Sequence, residues 1–380
     1  MAATQPFVVF KLERLLSAYE KDVEINLSES GVHPLSMRAL LELQGGDVDA
    51  ELAAIAGTEL DYPQANGSPE LRRAIAGWYP GATAENVLVT VGAIQANFTS
   101  LLTVTAPGEA IAVMQPNYQQ FWGLAQNLGR TMTTFALKQG RGWALDVDEL
   151  QDAVAPQTRF LAVVNPNNPT GRVLRREERA AIVSAAERTG AWLLADEVYA
   201  GAERDSDEIT ETFYGGYERV LAVGSMSKAY GLPGLRVGWV VGPADVVARM
   251  WAWQDYITIC TTCLGDLLAT VALAPDVRPR LIERTRGYVR RGFETVASWA
   301  AGRDDVEVQP PDAAAVCFVK YTKPVNSTEL VLRLVREKDV FVVPGDLFGL
   351  DGHLRVSFGL PEDYVRAGLS RLGELLDEIE

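Results

Sequence analysis

A lysine beside hydroxyl groups and an arginine is the strongest chemical signal in this sequence. The segment SMSKAYGLPGLRVG, residues 225–238, follows a predicted strand and places Lys228 directly after Ser227 and eight positions before Arg236. A lysine at a strand end can act as a Schiff-base nucleophile. Ser225, Ser227 and Arg236 can hold a phosphate, the arginine through its bidentate guanidinium fork. The spacing predicts an amine nucleophile next to an anion site, although a turn with a solvated lysine would use the same residue types.

Two polar motifs further upstream each end a predicted strand. They are NPNNPTG, residues 165–171, and DEVY, residues 196–199. Open α/β sheets place their ligands at the carboxyl ends of parallel strands, so both motifs lie where a ligand is expected. Asp196 is suited to face a pyridine nitrogen, because a carboxylate keeps that nitrogen protonated and makes the ring an electron sink. Asn168 and Tyr199 can both donate hydrogen bonds to a phenolic oxygen.

Short β-branched runs alternate with helical patterns along most of the chain, which is typical of an α/β fold with a mostly parallel sheet and helices on both faces. Helices predicted over 175–189 and 244–253 fit crossover connections. The predicted strands of this sheet are 86–90, 110–114, 159–165, 191–197, 219–225 and 237–242.

The pattern changes after about residue 275, where a long charged helix precedes shorter strands. We predict a helix over 279–301, strands at 317–321, 341–344 and 354–358, and a closing helix over 363–380. An N-terminal helix is predicted over 11–19. The predicted organisation is an N-terminal arm (1–35), a large α/β domain (36–275) and a small C-terminal α+β domain (276–380).

The composition favours a globular protein that handles small molecules. The 380 residues are 48% hydrophobic, and 35 Lys and Arg against 50 Asp and Glu give a net charge of −15. That sign disfavours nucleic acid and membrane partners. Cys260 and Cys263 form an isolated CxxC, and with three cysteines and two histidines we expect neither a disulfide framework nor a metal site. Since neither a signal peptide nor a transmembrane stretch is recognisable, we expect a cytoplasmic protein.

In this order and spacing, the motifs NPxNPTG, DExY and SxSKxxGLPGxRxGW resemble those of the fold-type-I pyridoxal 5′-phosphate (PLP) enzymes of aminotransferase class I/II. The resemblance covers nearly the whole chain. It implies that Lys228 forms the Schiff base with the cofactor and carries the proton between the substrate Cα and the cofactor C4′. It also implies that Asp196 pairs with the pyridinium nitrogen, and that Asn168 and Tyr199 contact the ring oxygen. Tyr118, in QPNY, resembles the aromatic residue that stacks on the ring.

The same resemblance assigns a phosphate site and a dimer. The phosphate-binding side chains named above are joined by the backbone amides of the turn Gly92-Ala93-Ile94, which opens a helix. Many family members have Ser or Thr in this turn, so Ala93 and Ile94 imply that one hydroxyl contact is lost. Tyr62 resembles the tyrosine that reaches the cofactor phosphate of the neighbouring subunit. The resemblance therefore implies a homodimer with shared active sites.

The resemblance determines the cofactor but leaves the reaction open. Arg355, in LRVSF, resembles the arginine that binds the α-carboxylate of an amino acid substrate. Transamination is the expected reaction. The segment NLSESGVHP, residues 26–34, is also similar to capreomycidine-synthase-like enzymes of antibiotic and other specialised metabolism. The alternative is therefore β- or γ-elimination, replacement or cyclisation of a cationic amino acid, such as an arginine derivative or S-adenosylmethionine.

Three arm residues are candidate substrate contacts. Glu29 can pair with a cationic substrate side chain, and His33 can act as an acid or base beside the β or γ carbon. Gly31 lies between them. Both polar residues could equally have structural roles at the surface. A regulator or binding protein without catalysis is disfavoured, because the motif lysine, aspartate and arginines are all present.

Overall fold

The computed structural model describes residues 7–379. None of the helices in this range combines the length and apolar composition needed to cross a membrane. The strands are β1 (Ile25–Asn26), β2 (Val87–Thr90), β3 (Ala110–Gln115), β4 (Thr131–Lys138), β5 (Ala144–Leu145), β6 (Thr158–Val164), β7 (Trp192–Asp196), β8 (Val220–Ser225), β9 (Gly238–Val241), β10 (Val306–Val308), β11 (Val316–Tyr321), β12 (Val340–Phe341), β13 (Val343–Pro344) and β14 (His353–Ser357). The helices are α1 (Lys11–Tyr19), α2 (Met37–Gln44), α3 (Val48–Ala56), α4 (Pro69–Ala76), α5 (Gly92–Val104), α6 (Gln120–Asn127), α7 (Val147–Ala153), α8 (Arg176–Thr189), α9 (Ala244–Gln254), α10 (Cys263–Ala272), α11 (Arg278–Ala301), α12 (Ser327–Lys338) and α13 (Glu362–Asp377).

An eight-stranded sheet in the order β2-β9-β8-β7-β6-β3-β4-β5 forms the centre of the large domain. The strands from β8 to β4 pair in parallel, whereas β9 runs antiparallel to both of its neighbours. Successive side chains of β2 enter different cores, with Leu88 in one and Val87 and Val89 in the other. Since both faces of the sheet are covered, its central strands β6, β7 and β8 are largely apolar. The predicted α/β fold is confirmed.

The C-terminal part contains a separate four-stranded antiparallel sheet in the order β10-β11-β14-β13. Helix α11 packs on α13, and α12 packs on α13 and β12. The arm joins this region through a two-stranded parallel sheet in which Ile25 of β1 lies opposite Val340 of β12. The predicted large and small sheets are therefore both present. The domain boundaries at residues 35 and 275 stay predictions.

The sheets differ from the sequence prediction in one divided strand and in four strands that were not predicted, β1, β4, β5 and β10. The single strand predicted at 341–344 is wrong, because the chain changes partners at Val342 and forms β12 against β1 and then β13 against β14. Strand β4 was not predicted because it begins with TMTT, a polar and largely exposed run near the sheet edge. An edge strand has less need of a continuous apolar sequence.

Candidate active site

A cavity of about 490 Å³ lies where β6, β7 and β8 end at their carboxyl edges. The arm covers one side of the cavity, and the C-terminal sheet supplies one arginine to its wall. The predicted site residues that line the cavity together are Glu29, Ala93, Ile94, Tyr118, Asn168, Asp196, Tyr199, Ser225, Ser227, Lys228, Arg236 and Arg355.

A buried carboxylate and a lysine face this cavity. Asp196 ends β7, and its Oδ2 accepts a hydrogen bond of 2.8 Å from Nδ2 of Asn97. Its Oδ1 accepts a longer bond of 3.3 Å from the N–H of Val198. Burial raises the pKa of Asp196 to about 6, although the two hydrogen bonds and the charge of Lys228 act in the opposite direction. The carboxylate can therefore ionise near neutral pH and pair with a protonated ring nitrogen.

The arm backbone passes directly beside the lysine. A Cβ atom at Gly31 would lie 2.9 Å from the carbonyl oxygen of Ser227 and 3.6 Å from Cα of Lys228. A side chain at position 31 would therefore displace the lysine turn. Gly31 therefore allows the arm backbone to approach the lysine turn closely. The neighbouring residues Ser28, Glu29 and Ser30 line the arm side of the cavity.

Hydroxyl groups and a guanidinium lie next to each other after β8. The Oγ atoms of Ser225 and Ser227 are 3.0 Å apart and hydrogen-bonded, and the N–H of Ser227 donates to Oγ of Ser225 at 3.0 Å. Nη1 of Arg236 donates to Oγ of Ser227 at 3.3 Å. Three donor groups and one full positive charge therefore converge on one end of the cavity, which suits an anion.

The first turn of α5 completes this anion site. Gly92 has φ +73°, and a Cβ atom there would lie 2.4 Å from Nη2 of Arg236. The glycine therefore leaves room for the guanidinium against the helix end. Ala93 and Ile94 follow it in the cavity wall, and a helix N-terminus presents backbone N–H groups that favour an anion. A phosphorylated pyridine aldehyde matches this set of donors, with the amine, the buried carboxylate and the anion cradle each available.

Arg355 approaches the cavity from β14 and is almost completely buried. Its Nη1 donates to Oδ1 of Asn168 at 3.1 Å, and its Nη2 donates to the carbonyl oxygen of Ser28 at 2.6 Å. Its buried Nε has no hydrogen-bond partner among residues 7–379. Burial lowers the pKa of Arg355, while nearby Tyr199 and Glu29 act in the opposite direction. A guanidinium that is desolvated and incompletely bonded is well prepared to bind a substrate carboxylate.

Helix α1 of the arm forms the wall opposite the sheet. The hydroxyl of Tyr118 donates to Oε1 of Glu13, and the ring of Phe10 lies 5.0 Å from the ring of Tyr118. Burial and the neighbouring Glu13 raise the pKa of Tyr118 well above its usual range. The tyrosine is therefore a neutral, fixed ring at the cavity wall, and Leu16 and Glu20 extend the same wall.

Three predicted residues are not among those that line the cavity within one chain: Gly31, which lies beside the lysine turn, Tyr62 and His33. Tyr62 is 78% exposed. The ring of His33 lies 5.8 Å from that of Tyr288 on α11, and its backbone N–H donates to the carbonyl oxygen of Gly359. The contacts of His33 therefore fit a role in holding the arm against the C-terminal part of the chain.

Asn97 and Glu13 belong to the cavity wall, but sequence reasoning missed both. Asn97 lies four residues after Ala93 on α5, so helical periodicity places it on the same face as the predicted anion-binding turn. That spacing is the signal that could have identified it. Glu13 meets Tyr118 across 105 positions of sequence, and no local pattern predicts such a contact.

Comparisons with known proteins agree with this geometry. The sequence model of the family Aminotransferase class I and II matches residues 32–372. Capreomycidine synthase from Streptomyces vinaceus is 30% identical, over 99% of this chain and 95% of that protein. A solved PLP-dependent aminotransferase from Streptococcus suis covers 99% of both chains with a TM-score of 0.93 and 28% identity. The solved PLP-dependent cyclase OrfR also covers 99% of both, with a TM-score of 0.88 and 26% identity. The predicted resemblance is confirmed along nearly the whole chain.

Proposed function

The chain belongs to the class I and II aminotransferases, which are PLP-dependent enzymes of fold type I, and on that premise we propose that it is a transaminase of free α-amino acids. One observation carries the proposal. Lys228, Asp196 and the buried guanidinium of Arg355 line the same cavity. The cavity thus combines an amine that can move a proton, a partner for the cofactor ring and a partner for a substrate carboxylate.

Each residue has a separate task in this proposal. Arg355 binds the substrate α-carboxylate and so orients Cα. Lys228 removes the proton from the substrate Cα and would deliver it to C4′ of the bound cofactor, and Asp196 would hold a proton on the ring nitrogen. When bound, the cofactor supplies the electron sink that stabilises the charge left at Cα.

Other groups hold the cofactor in register with the substrate. The two serines, Arg236 and the first turn of α5 would bind the cofactor phosphate, and Tyr118 would lie against its ring. Oδ1 of Asn168 accepts from Arg355, which leaves its Nδ2 to donate to the phenolic oxygen beside Tyr199. Asn168 therefore connects the substrate-binding arginine to the cofactor ring.

A second candidate is cyclisation, replacement or elimination on an amino acid with a cationic side chain. The carboxylates of Glu13, Glu20 and Glu29 line the arm side of the cavity. Their charge suits a guanidinium or sulfonium group. The 30% identity to capreomycidine synthase and the likeness to a PLP-dependent cyclase support the same candidate.

An absorption titration of the PLP-loaded protein with a panel of amino acids, with product masses read in parallel, separates the two candidates. A transaminase converts the cofactor to its amine form, and an added 2-oxo acid reverses the change. A cyclase or lyase changes the mass of its substrate without any 2-oxo acid. An inert panel, together with an unchanged cofactor spectrum in Lys228→Ala, contradicts both candidates.

Glu29→Gln tests the cationic substrate directly, with arginine and its neutral isostere citrulline as matched substrates. We expect KM for arginine to rise about tenfold, the effect of roughly 1.4 kcal/mol, while KM for citrulline changes little. An equal change for both substrates, or none for arginine, removes Glu29 from substrate recognition.

We further propose that the enzyme works as a cytoplasmic homodimer. The amide of Gln254 donates to the carbonyl oxygen of Ala65, and the amide of Gln95 donates to Thr258, so two loops meet beside the start of α5. These loops and the last turn of α9 expose the large apolar side chains Leu60, Tyr62, Trp253, Tyr256, Ile257 and Ile259. Apolar surface of this kind beside a cofactor site supports contact with a second copy. The three free cysteines support a reducing compartment.

A further inference from the structure

We propose that Asn97 is a positioning residue, whose side-chain amide holds the Asp196 carboxylate in place for the cofactor ring nitrogen. The inference rests on the proposed PLP-dependent function and adds a residue that the sequence motifs do not contain. Asn97 lies on α5 and is 3% exposed. It reaches the same cavity as the carboxylate that it contacts.

The amide of Asn97 is held in one orientation. Its Nδ2 donates to Oδ2 of Asp196 at 2.8 Å and to Oε1 of Gln120 at 3.2 Å. Nε2 of Gln120 donates in turn to the carbonyl oxygen of Ile94, in the first turn of α5. The reverse orientation would place an amide oxygen against a carboxylate oxygen. The chain of hydrogen bonds from Ile94 to Asp196 therefore fixes which atom of Asn97 meets the carboxylate.

The other end of the amide remains free for a ligand. Oδ1 of Asn97 is buried and has no hydrogen-bond partner within the described residues 7–379. A buried acceptor without a partner is costly, so a polar group or water bound in the cavity would complete it. This second observation links Asn97 to cavity contents as well as to Asp196.

The hydrogen bond from Asn97 matters because the buried position of Asp196 disfavours the ionised form of its carboxyl group. Burial raises the pKa of its carboxyl to about 6, and the bond from Asn97 is the largest influence in the opposite direction. The remaining influences are the Val198 N–H and the charge of Lys228, while the adjacent Glu197 opposes ionisation when it is charged. Without the amide donor, Asp196 would stay protonated to a higher pH and hold the ring nitrogen less well.

Asn97→Leu tests the inference, because leucine has a similar volume and no donor. The measurement is the dissociation constant of PLP by fluorescence titration across a series of pH values. For the wild type, we expect affinity to fall as the pH drops through about 6. We call this acidic part of the pH profile the acid limb. For Asn97→Leu, we expect the acid limb to lie about one pH unit higher than in the wild type, so that at a given pH on the limb the affinity for PLP is about tenfold lower.

Gln120→Leu is the matched control. Gln120 is equally buried and belongs to the same hydrogen-bond chain, but its side chain contacts Asn97 and not Asp196. Asn97 keeps its donor to Asp196 in this variant, so the acid limb should move much less than in Asn97→Leu, whatever happens to the affinity. An unshifted limb in Asn97→Leu, or an equal shift in both variants, shows that Asn97 only fills space and overturns the inference.

Two further measurements keep the result interpretable. If the leucine variant does not fold, the pH dependence of PLP binding is compared between Asn97→Ala and Gln120→Ala, which have smaller side chains. The same shift of the acid limb is then required of Asn97→Ala. Wild-type protein that binds no PLP at any pH contradicts the proposed function itself. Wild-type protein that binds PLP with an acid limb that Asn97→Ala leaves unmoved contradicts only the role of Asn97.

Discussion

Arg355 carries its charge at a position where only 2% of the residue is exposed. Its Nη1 and Nη2 atoms donate hydrogen bonds to Asn168 and Ser28, and its Nε has no hydrogen-bond partner among the described residues. Burial of an incompletely bonded guanidinium destabilises the free protein. A carboxylate bound in the cavity would complete the hydrogen bonding of the guanidinium, which is what we expect of a substrate-binding residue.

Arg355→Lys should raise KM for the amino acid substrate by about 10- to 100-fold, with a smaller effect on kcat. Lysine keeps the charge but cannot form the two-pronged contact with a carboxylate. Steady-state kinetics measure the change, and Arg333→Lys, in an exposed pair with Glu337 on α12, is the control that should leave KM alone. An unchanged KM in Arg355→Lys would assign carboxylate binding elsewhere.

Asp196→Asn should make the PLP-free protein more stable while it weakens PLP binding. The pKa of Asp196 is raised to about 6, so its contribution to stability is present at low pH and is lost as the pH rises through 6. Glu197, with its pKa raised to about 7, acts in the same direction. Thermal unfolding between about pH 4 and 8 should show a flatter dependence in the variant and a gain of roughly 1–3 kcal/mol at the upper end. A lower melting temperature there, with an unchanged slope, contradicts this account.

The sequence predicts those site residues that lie in motifs at strand ends. NPNNPTG, DEVY and SMSK follow parallel strands, so the fold brings them to one edge without further information. Glu13 was out of reach because its contact with Tyr118 spans 105 positions of sequence, whereas Asn97, which meets Asp196 across 99 positions, could be found only through its helical spacing from Ala93. Their residue types alone give no reason to select them.

Helix α5 connects both ends of the cofactor site. Its first turn packs against Arg236, and Asn97, one turn later, contacts Asp196. The helix therefore sets the distance between the anion site and the carboxylate. The reactive groups lie at the strand ends, and α5 contacts residues at both the anion site and the carboxylate.

Gly92→Ala should weaken PLP binding by about tenfold or more, because its Cβ would meet Nη2 of Arg236 at 2.4 Å and its φ of +73° suits glycine. Gly234→Ala is the control, since no atom lies within 4 Å of its added Cβ. Equilibrium dialysis of PLP measures both. Equal affinities in the two variants would show that the end of α5 does not form the phosphate site.

Regular elements with long apolar runs were predictable, and short elements that change partners were not. The strands β6, β7 and β8 each contain an uninterrupted run of at least four apolar residues, and they were predicted to within one residue at each end. The prediction at 341–344 failed because a continuous apolar run of Phe341-Val342-Val343 does not show where the chain leaves one sheet for another. That change depends on β1, which comes from the arm more than 300 positions earlier.

At the scale of the whole molecule, the exposed Tyr62 requires a second copy if it is to reach a cofactor. Mixing Tyr62→Ala chains with Lys228→Ala chains tests this. Each hybrid dimer has one site with both wild-type residues, so random mixing should restore about a quarter of the wild-type activity. Either variant alone should be much less active. A mixture no more active than the average of the two variants would show that Tyr62 does not act across a dimer.

The proposed function depends on Lys228 as the residue that holds the cofactor in a cavity built for an α-amino acid. Borohydride reduction of the PLP-loaded protein makes the lysine–cofactor bond permanent, and peptide mass analysis then shows which lysine carries it. We expect a pyridoxyl group on the peptide that contains Lys228, and no label when a saturating amino acid substrate is added before reduction. A label on another lysine, or none in protein that binds PLP, would show that Lys228 does not hold the cofactor.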